Sequence, residues 1–341
     1  MLRFMGSRFI VLGMVCTLSA GLSACAGLVL QLKQASVQKP SNVALYFSVE
    51  TKNNLPVPGL SAETFRIYED DHLISPYESQ QTILNEDVAV AHYTLLLLDL
   101  SGSITESGSL PLLLEAASAF AEKVARTHLF AVYGFDGSPN LIPVVGFTNQ
   151  PAQVKSGLKV LESYRVKDPS TNLNGAVVEA VRVLEKQLIK APQPLRFGTL
   201  VVFTDGTDHA RRVEESVMYQ TLDEAKMNVF AIGLGGEISP KQLARLGRVG
   251  HVNATQSAEI GAAFDEIAAL IEAAGKKFYL LSYCSPARAG RHTLRVEALF
   301  QGKSGALSHE FDATGFQPNC DPNRRPNFSA DRLRVGVVRV K

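Results

Sequence analysis

The sequence has no tryptophan, only four cysteines and no surplus of either charge: 34 Lys and Arg stand against 33 Asp and Glu in 341 residues. Each shortage removes a class of function. Without tryptophan, stacking of that ring on a base or a sugar is unavailable. Without a basic surplus there is no electrostatic footprint for a polyanion. The one basic cluster, Arg324-Arg325 with Arg332 and Arg334, is short and interrupted by acid, so no nucleic-acid partner is expected. No GxxxxGK[ST] phosphate loop, no HExxH and no GxSxG around a serine occurs. Gly233-Leu234-Gly235-Gly236 follows an apolar run but does not continue into a full GxGxxG, and reads as a strand-to-helix turn.

What is present begins with a targeting segment. Arg3 and Arg8 precede an apolar stretch, Phe9 to Leu22, that is short for a bilayer span and ends in small residues. Leu22-Ser23-Ala24-Cys25 resembles the bacterial lipobox. That resemblance implies cleavage before Cys25 and lipidation of its thiol, with a palmitate-type chain at the new N-terminus. An ordinary signal peptide with a coincidental cysteine, or an uncleaved anchor, is the alternative. Ala26 in place of Asp is similar to Gram-negative lipoproteins sorted to the outer membrane. Removal of residues 1–24 deletes only two charges, leaving 32 basic against 33 acidic residues.

Cysteine use is consistent with export. Cys16 leaves with the leader and Cys25 takes the lipid. Cys284 and Cys320 remain as an even pair in an oxidising compartment, where a disulfide is expected. Closing that loop contributes about 3–4 kcal/mol in the chain-entropy model. Two free thiols are the alternative. A metal site on the pair is disfavoured, because neither has a CxxC partner or a neighbouring His.

Residues 25–41 show no sustained period and read as a lipidated tether. Residues 42–90 then read as the first part of a β-rich domain: Val43, Leu45, Phe47 and Val49 alternate with polar neighbours, and Phe65 to Tyr68 forms another strand. The pattern changes near Tyr93. Leu95–Leu98, Phe130–Phe135, Leu200–Phe203 and Val229–Leu234 are uninterrupted apolar runs, as suits parallel strands buried on both faces. Helical periods lie between them, at Leu113, Ala117, Phe120 and Val124, at Val177, Val181, Leu184 and Leu188, and at Ile260, Phe264, Ile267 and Ile271. Residues 91–277 therefore predict an α/β domain, a doubly wound, mostly parallel sheet with a short edge hairpin near Asn140–Phe147. Alternation returns over 278–320, at Phe278–Tyr283, Leu294–Ala298 and Ser308–Phe311. This second β-rich part joins the first in a small antiparallel sandwich carrying the α/β domain as an insertion. Residues 321–341 read as a tail, irregular at first, with a possible strand at Leu333–Val340.

The candidate site opens where the first buried run ends. Asp99-x-Ser101-x-Ser103 puts a carboxylate and two hydroxyls at the carboxyl end of a strand, where ligands bind in open parallel sheets. These are hard oxygen donors, suited to Mg²⁺, Mn²⁺ or Ca²⁺. The same residues alone would serve equally as a turn and a helix cap. Two further segments change that weighing: Ser170-Thr171-Asn172-Leu173-Asn174 before a helix, and an apolar strand running into Thr204-Asp205-Gly206.

In that order the residues resemble the von Willebrand factor type A (VWA) family and its metal-ion-dependent adhesion site (MIDAS), DxSxS, then Thr, then Asp. The match falls on Asp99, Ser101, Ser103, Thr171 and Asp205. Leu55–Asp70 and Phe278–Tyr283 look like the segments flanking VWA in a group of bacterial secreted VWA-related proteins. The resemblance implies a magnesium-type ion held by these five residues, with an open position for an acidic side chain from a partner protein. Asp168–Ser170 replaces the Gly pair common before the Thr, and Leu246–His251 matches the usual Gly-Gly segment only loosely. His209 reads as neutral to function, and His251 as a structural or surface residue. No convincing general base accompanies the site, although Glu106 and Asp208 lie nearby in sequence. The expectation is a non-enzymatic, lipid-anchored envelope protein that binds a partner protein through a metal. A structural envelope protein with a vestigial site is the alternative, and a metal-dependent hydrolase is a weaker one.

Overall fold

A computed structural model describes residues 27–85 and 89–328. Cys25, the leader and the strand expected at Leu333–Val340 lie outside the described residues. The chain opens with β1 (Leu28–Gln38), β2 (Asn42–Thr51), β3 (Phe65–Glu69), β4 (His72–Leu73) and β5 (Thr82–Ile83). The middle of the chain begins with β6 (Val90–Asp99), α1 (Gly102–Glu106), α2 (Leu110–Val124), β7 (Leu129–Phe135), β8 (Ile142–Thr148), α3 (Pro151–Leu158) and α4 (Leu173–Lys190). It continues with β9 (Leu195–Thr204), α5 (Glu215–Glu224), β10 (Asn228–Leu234), α6 (Pro240–Leu246), β11 (Gly250–Ala254) and α7 (Ile260–Gly275). The last three strands are β12 (Phe278–Cys284), β13 (Arg291–Phe300) and β14 (Lys303–Asp312).

The central sheet has the order β11-β10-β9-β6-β7-β8, parallel except for the edge pair β7–β8. Its apolar runs are continuous because alternate residues serve opposite cores. Leu96, Leu98, Val201, Phe203, Phe230 and Ile232 pack under α2 and α7. Leu95, Leu97, Leu200, Val202, Val229 and Ala231 pack under α4, α5 and α6. The expected α/β class and its antiparallel edge strand are present.

The other strands form two antiparallel sheets, β1-β2-β12-β5 and β14-β13-β3-β4. Val43, Leu45, Phe47 and Val49 meet Phe65, Ile67, Leu294, Val296 and Ala298 between them. The α/β unit leaves this sandwich after β5 and returns to it at β12. Its lower end sits on the outer face of the first sheet. There Tyr46 and Leu280 pack with Val90, Leu195 and Phe328, with Phe197 and Phe278 alongside. Tyr46 stacks on Phe278 at 5.4 Å between ring centroids. Cys284, at the end of β12, is bonded to Cys320, with their Cα atoms 5.7 Å apart. The expected disulfide is therefore formed.

Two expectations are corrected. The tether assigned to residues 25–41 is a strand over most of its length, β1, paired with β2 from Leu28–Thr51 to Gln38–Asn42. A register shift between Leu32 and Gln34 breaks the alternation, which is why no period shows in sequence. Next, β2 is not half-buried. All its residues but Thr51 are buried, because the α/β domain covers the face opposite the sandwich core. The first eight residues of the tail, 321–328, carry no helix or strand, as expected, and pack back on the body. The Asp321 carbonyl accepts from Asn42 Nδ2, Asn327 N–H donates to Ser36 Oγ at 2.9 Å, and Phe328 is buried.

Candidate functional site

The carboxyl ends of β6, β7 and β9 and the loops that follow them converge at the upper end of the central sheet. Asp99 ends β6 and is fully buried. Its Oδ1 accepts the Ser101 N–H at 2.9 Å, and its Oδ2 accepts the Thr204 hydroxyl at 2.7 Å. Ser101 Oγ lies 3.2 Å from Ser103 Oγ. Ser101 is buried and Ser103 exposed, so the cluster opens to solvent through Ser103. Asp205 follows β9, and the Ser103 hydroxyl is hydrogen-bonded to its carboxylate. Its Oδ1 is buried and has no hydrogen-bond partner.

Thr171 joins this group through backbone. Its carbonyl accepts N–H bonds from His209 at 2.9 Å and Ala210 at 3.0 Å, in the loop after Asp205. On the other side the Gly102 N–H reaches the Pro169 carbonyl at 3.0 Å. Gly102 suits this close approach, since a Cβ there would stand 3.0 Å from the Pro169 side chain and crowd it. The Thr171 loop thus touches both the Ser101–Ser103 turn and the Asp205 loop.

The electrostatics divide the acids of this end into two groups. Burial, followed by the charge of Asp205, pushes the Asp99 carboxyl up to about 7, against hydrogen bonds from Ser101 and Thr204. Burial also raises Asp205, opposed by the Ser103 hydroxyl. Asp136, Asp168 and Glu237 in the surrounding loops lie below the usual carboxylate range. For Asp136 burial works the other way, but donors outweigh it: Ser138 N–H at 2.7 Å, the Tyr164 hydroxyl at 2.8 Å and Lys167 N–H at 3.1 Å. Those acids hold loops together. Asp99 and Asp205 stay raised in spite of their hydrogen bonds.

The framework roles of these residues are not evident from the sequence. Asp136 binds the loop after β7 to residues 167–168. Thr204 orients Asp99. Glu237 accepts from the Thr207 N–H at 2.9 Å and pairs with His209 at 2.7 Å, linking the loops after β9 and β10. His209, read as neutral, is therefore part of the rim. Asp168, which replaces a glycine of the family pattern, accepts from Ser170 and pairs with Arg212 at 2.9 Å. Only Thr204 left a sequence signal, a lone hydroxyl closing an apolar run. His251 is exposed on β11, and Asp208 is engaged by the N–H groups of Asn174 and Arg211.

The donors fit a divalent cation. Two carboxylates and neighbouring hydroxyls are hard oxygens, and the buried, unpartnered Asp205 Oδ1 beside a second acid is what a positive charge would satisfy. Among the described residues no group of three or more His, Cys, Asp or Glu side chains is placed to hold a metal, so hydroxyls must complete any set here.

Residues 94–254 match the family model of the von Willebrand factor type A domain. No curated protein matches the chain significantly. Among solved structures, a von Willebrand factor type A protein from Catenulispora acidiphila shares 11% identity at TM-score 0.47, over 87% of this chain and 76% of that one. Manganese-loaded TRAP protein from Plasmodium vivax shares 13% identity at TM-score 0.46, over 74% and 99%. Proximal thread matrix protein 1 from the mussel byssus, with a zinc-occupied MIDAS motif, shares 15% identity at TM-score 0.44, over 54% and 48%. The present chain thus spans about half the length of that mussel protein. It is thus the segment at residues 94–254 that matches the von Willebrand factor type A domain.

Proposed function

We propose that this chain is a lipid-anchored envelope protein whose type A domain binds a partner protein through a divalent cation, Mg²⁺, Mn²⁺ or Ca²⁺. The observation that carries the reading is the contrast among the acids. Asp99 and Asp205 are raised and Asp205 Oδ1 is unpartnered, within a framework whose other carboxylates are satisfied. Ser101, Ser103 and Thr171 supply neutral oxygens, and Asp99 and Asp205 supply charge. When bound, the cation supplies positive charge and an open position for a carboxylate oxygen. Three neutral donors against two acids leave that charge incompletely cancelled, which favours a Glu or Asp of the partner over a neutral side chain. Thr204 keeps Asp99 oriented, and the exposed Ser103 side is the route by which the partner approaches.

The anchoring part of the reading rests on Leu22-Ser23-Ala24-Cys25, with the lipid on Cys25 and, from Ala26, the outer membrane as destination. The protein is read as a binder rather than an enzyme: Asp208 is committed to backbone N–H groups. The test is a pull-down from envelope extract with intact and Asp99→Ala protein, with Mg²⁺ or with chelator. Retention of a partner only by intact protein with Mg²⁺ is expected. Equal retention by both proteins would sink the reading.

A further inference from the structure

The described chain begins at Gly27, already inside the fold. Its N–H donates to the Ser304 carbonyl at 3.0 Å, and its carbonyl accepts the Lys52 N–H at 3.3 Å. Leu28 pairs with Thr51, and Lys303 packs on Gly27 closely enough that a Cβ there would meet its side chain at 2.9 Å. One residue, Ala26, separates this corner from Cys25. Two extended residue steps reach about 7 Å.

We propose that this corner of the sandwich, the Lys52–Leu55 turn and the Gln301–Lys303 turn, lies directly on the bilayer, against anionic headgroups. The inference rests on lipidation of Cys25 as read above. A lipid seated on Cys25 leaves no length for the body to stand away from the surface. The corner also has the chemistry of an interface. Lys52 and Lys303 are exposed, and neither turn contains an acid. The nearest acid on β2, Glu50, is buried and paired with Lys277 at 2.6 Å. Lys33 adds a half-buried cation close enough to be felt by Lys277 and Glu50. On the flank, Lys276 is paired with Glu272 at 2.7 Å. Leu55 is 60% exposed at one turn and Leu299 43% exposed beside the other. Lysines around exposed leucines match a surface of phosphates over acyl chains. The corner lies on the sandwich, whereas Asp99 lies at the far end of β6 from the sandwich. The binding site is therefore clear of the membrane contact.

The test uses the full chain, lipidated in cells and reconstituted in vesicles of phosphatidylethanolamine and phosphatidylglycerol. An environment-sensitive fluorophore is placed at Asn53→Cys, at Gln301→Cys or at Glu115→Cys on α2, and a quencher is carried on the headgroups. Quenching at 53 and 301 is expected to exceed that at 115 by about threefold or more, and the Lys52→Glu/Lys303→Glu pair to halve it at 301, roughly, in these vesicles. The mass of the N-terminal peptide reports lipidation independently. Equal quenching at all three positions on protein lipidated at Cys25 overturns this inference and leaves the anchor standing. A Cys25 without lipid overturns the anchor and this inference with it.

Discussion

The two ends of β6 lie in the same sheet and solve opposite problems. At the lower end, Val90 and its neighbours are closed in by Tyr46, Leu280 and Phe328, with rings from Phe197 and Phe278. Apolar surface there is matched on every side. At the upper end, burial raises both Asp99 and Asp205 despite hydrogen bonds from Ser101, Thr204 and Ser103. The comparison teaches that apolar packing closes the end where the domains meet, and that the site end is left electrostatically incomplete. A ligand can contribute free energy only where the fold has left some to be gained.

The largest effect expected from breaking this contrast is at the lower end. Tyr46→Ala empties a fully buried position beside two aromatic neighbours, Phe197 and Phe278. It should cost about 3–5 kcal/mol, the range for an aromatic-to-alanine change in a core. Denaturant melts would show it as a lower midpoint. If metal binding by the folded fraction is unchanged, the two ends are independent, and a parallel loss of affinity would show that they are coupled.

Next in size is a change at the upper end with the opposite sign for the empty protein. Asp205→Asn removes one of two repelling acids. The metal-free variant should match or exceed the wild type in stability, by up to about 1 kcal/mol. Its affinity for Mn²⁺ should fall about 100-fold, read by calorimetry, with loss of the metal-induced rise in melting temperature. A metal-free variant clearly less stable than the wild type would mean that Asp205 is a structural acid.

A smaller loss should follow at Asp136, which touches none of the proposed ligands. It fixes the loop that leads to Thr171 by accepting from Ser138, Tyr164 and Lys167. Asp136→Ala should weaken metal binding about 10-fold, as outer supports of metal sites do, while leaving the stoichiometry at one. An unchanged affinity would show that the Thr171 loop holds its pose without this carboxylate.

Legibility followed the same division. The parallel sheet was readable because strands buried on both faces spell continuous apolar runs, and the helices between them keep one period. The order of Asp99, Ser101, Ser103, Thr171 and Asp205 was readable because a site at strand ends draws its groups from turns with strong local signatures. Asp136 and Glu237 were not, since they act by accepting backbone N–H bonds from loops distant in sequence, and no spacing encodes that. β1 was hidden for a local reason, the register shift near Lys33. The double burial of β2 was hidden for a global one: Tyr46 reads as a tolerable outward residue until another domain is placed against it.

The smallest effect sharpens the comparison by acidity. At the lower end His128 stacks with His92 at 4.8 Å and bonds Thr94 Oγ1 through Nδ1 at 2.7 Å. Burial, then the neighbouring His92, lowers it to about 3. Unfolded, the imidazole takes its proton near pH 6.5, so between that value and about 3 the unfolded chain binds the extra proton. Stability from a neutral His128 is therefore fully present above pH 6.5 and lost as the pH falls toward 3. Asp99 has the reverse sign. Its raised carboxyl favours the metal-free fold at low pH and disfavours it as the pH rises from about 4 through 7. The metal-free protein should therefore be most stable at mildly acidic pH. Between pH 6.5 and 5 the two contributions oppose each other, so His128→Gln should gain about 1–2 kcal/mol relative to the wild type as the pH falls across that window. Saturating Mn²⁺ should flatten only the alkaline limb. Urea melts across pH, with and without metal, separate the two, and a single variant that moved both limbs would show that the ends of the sheet titrate as one unit.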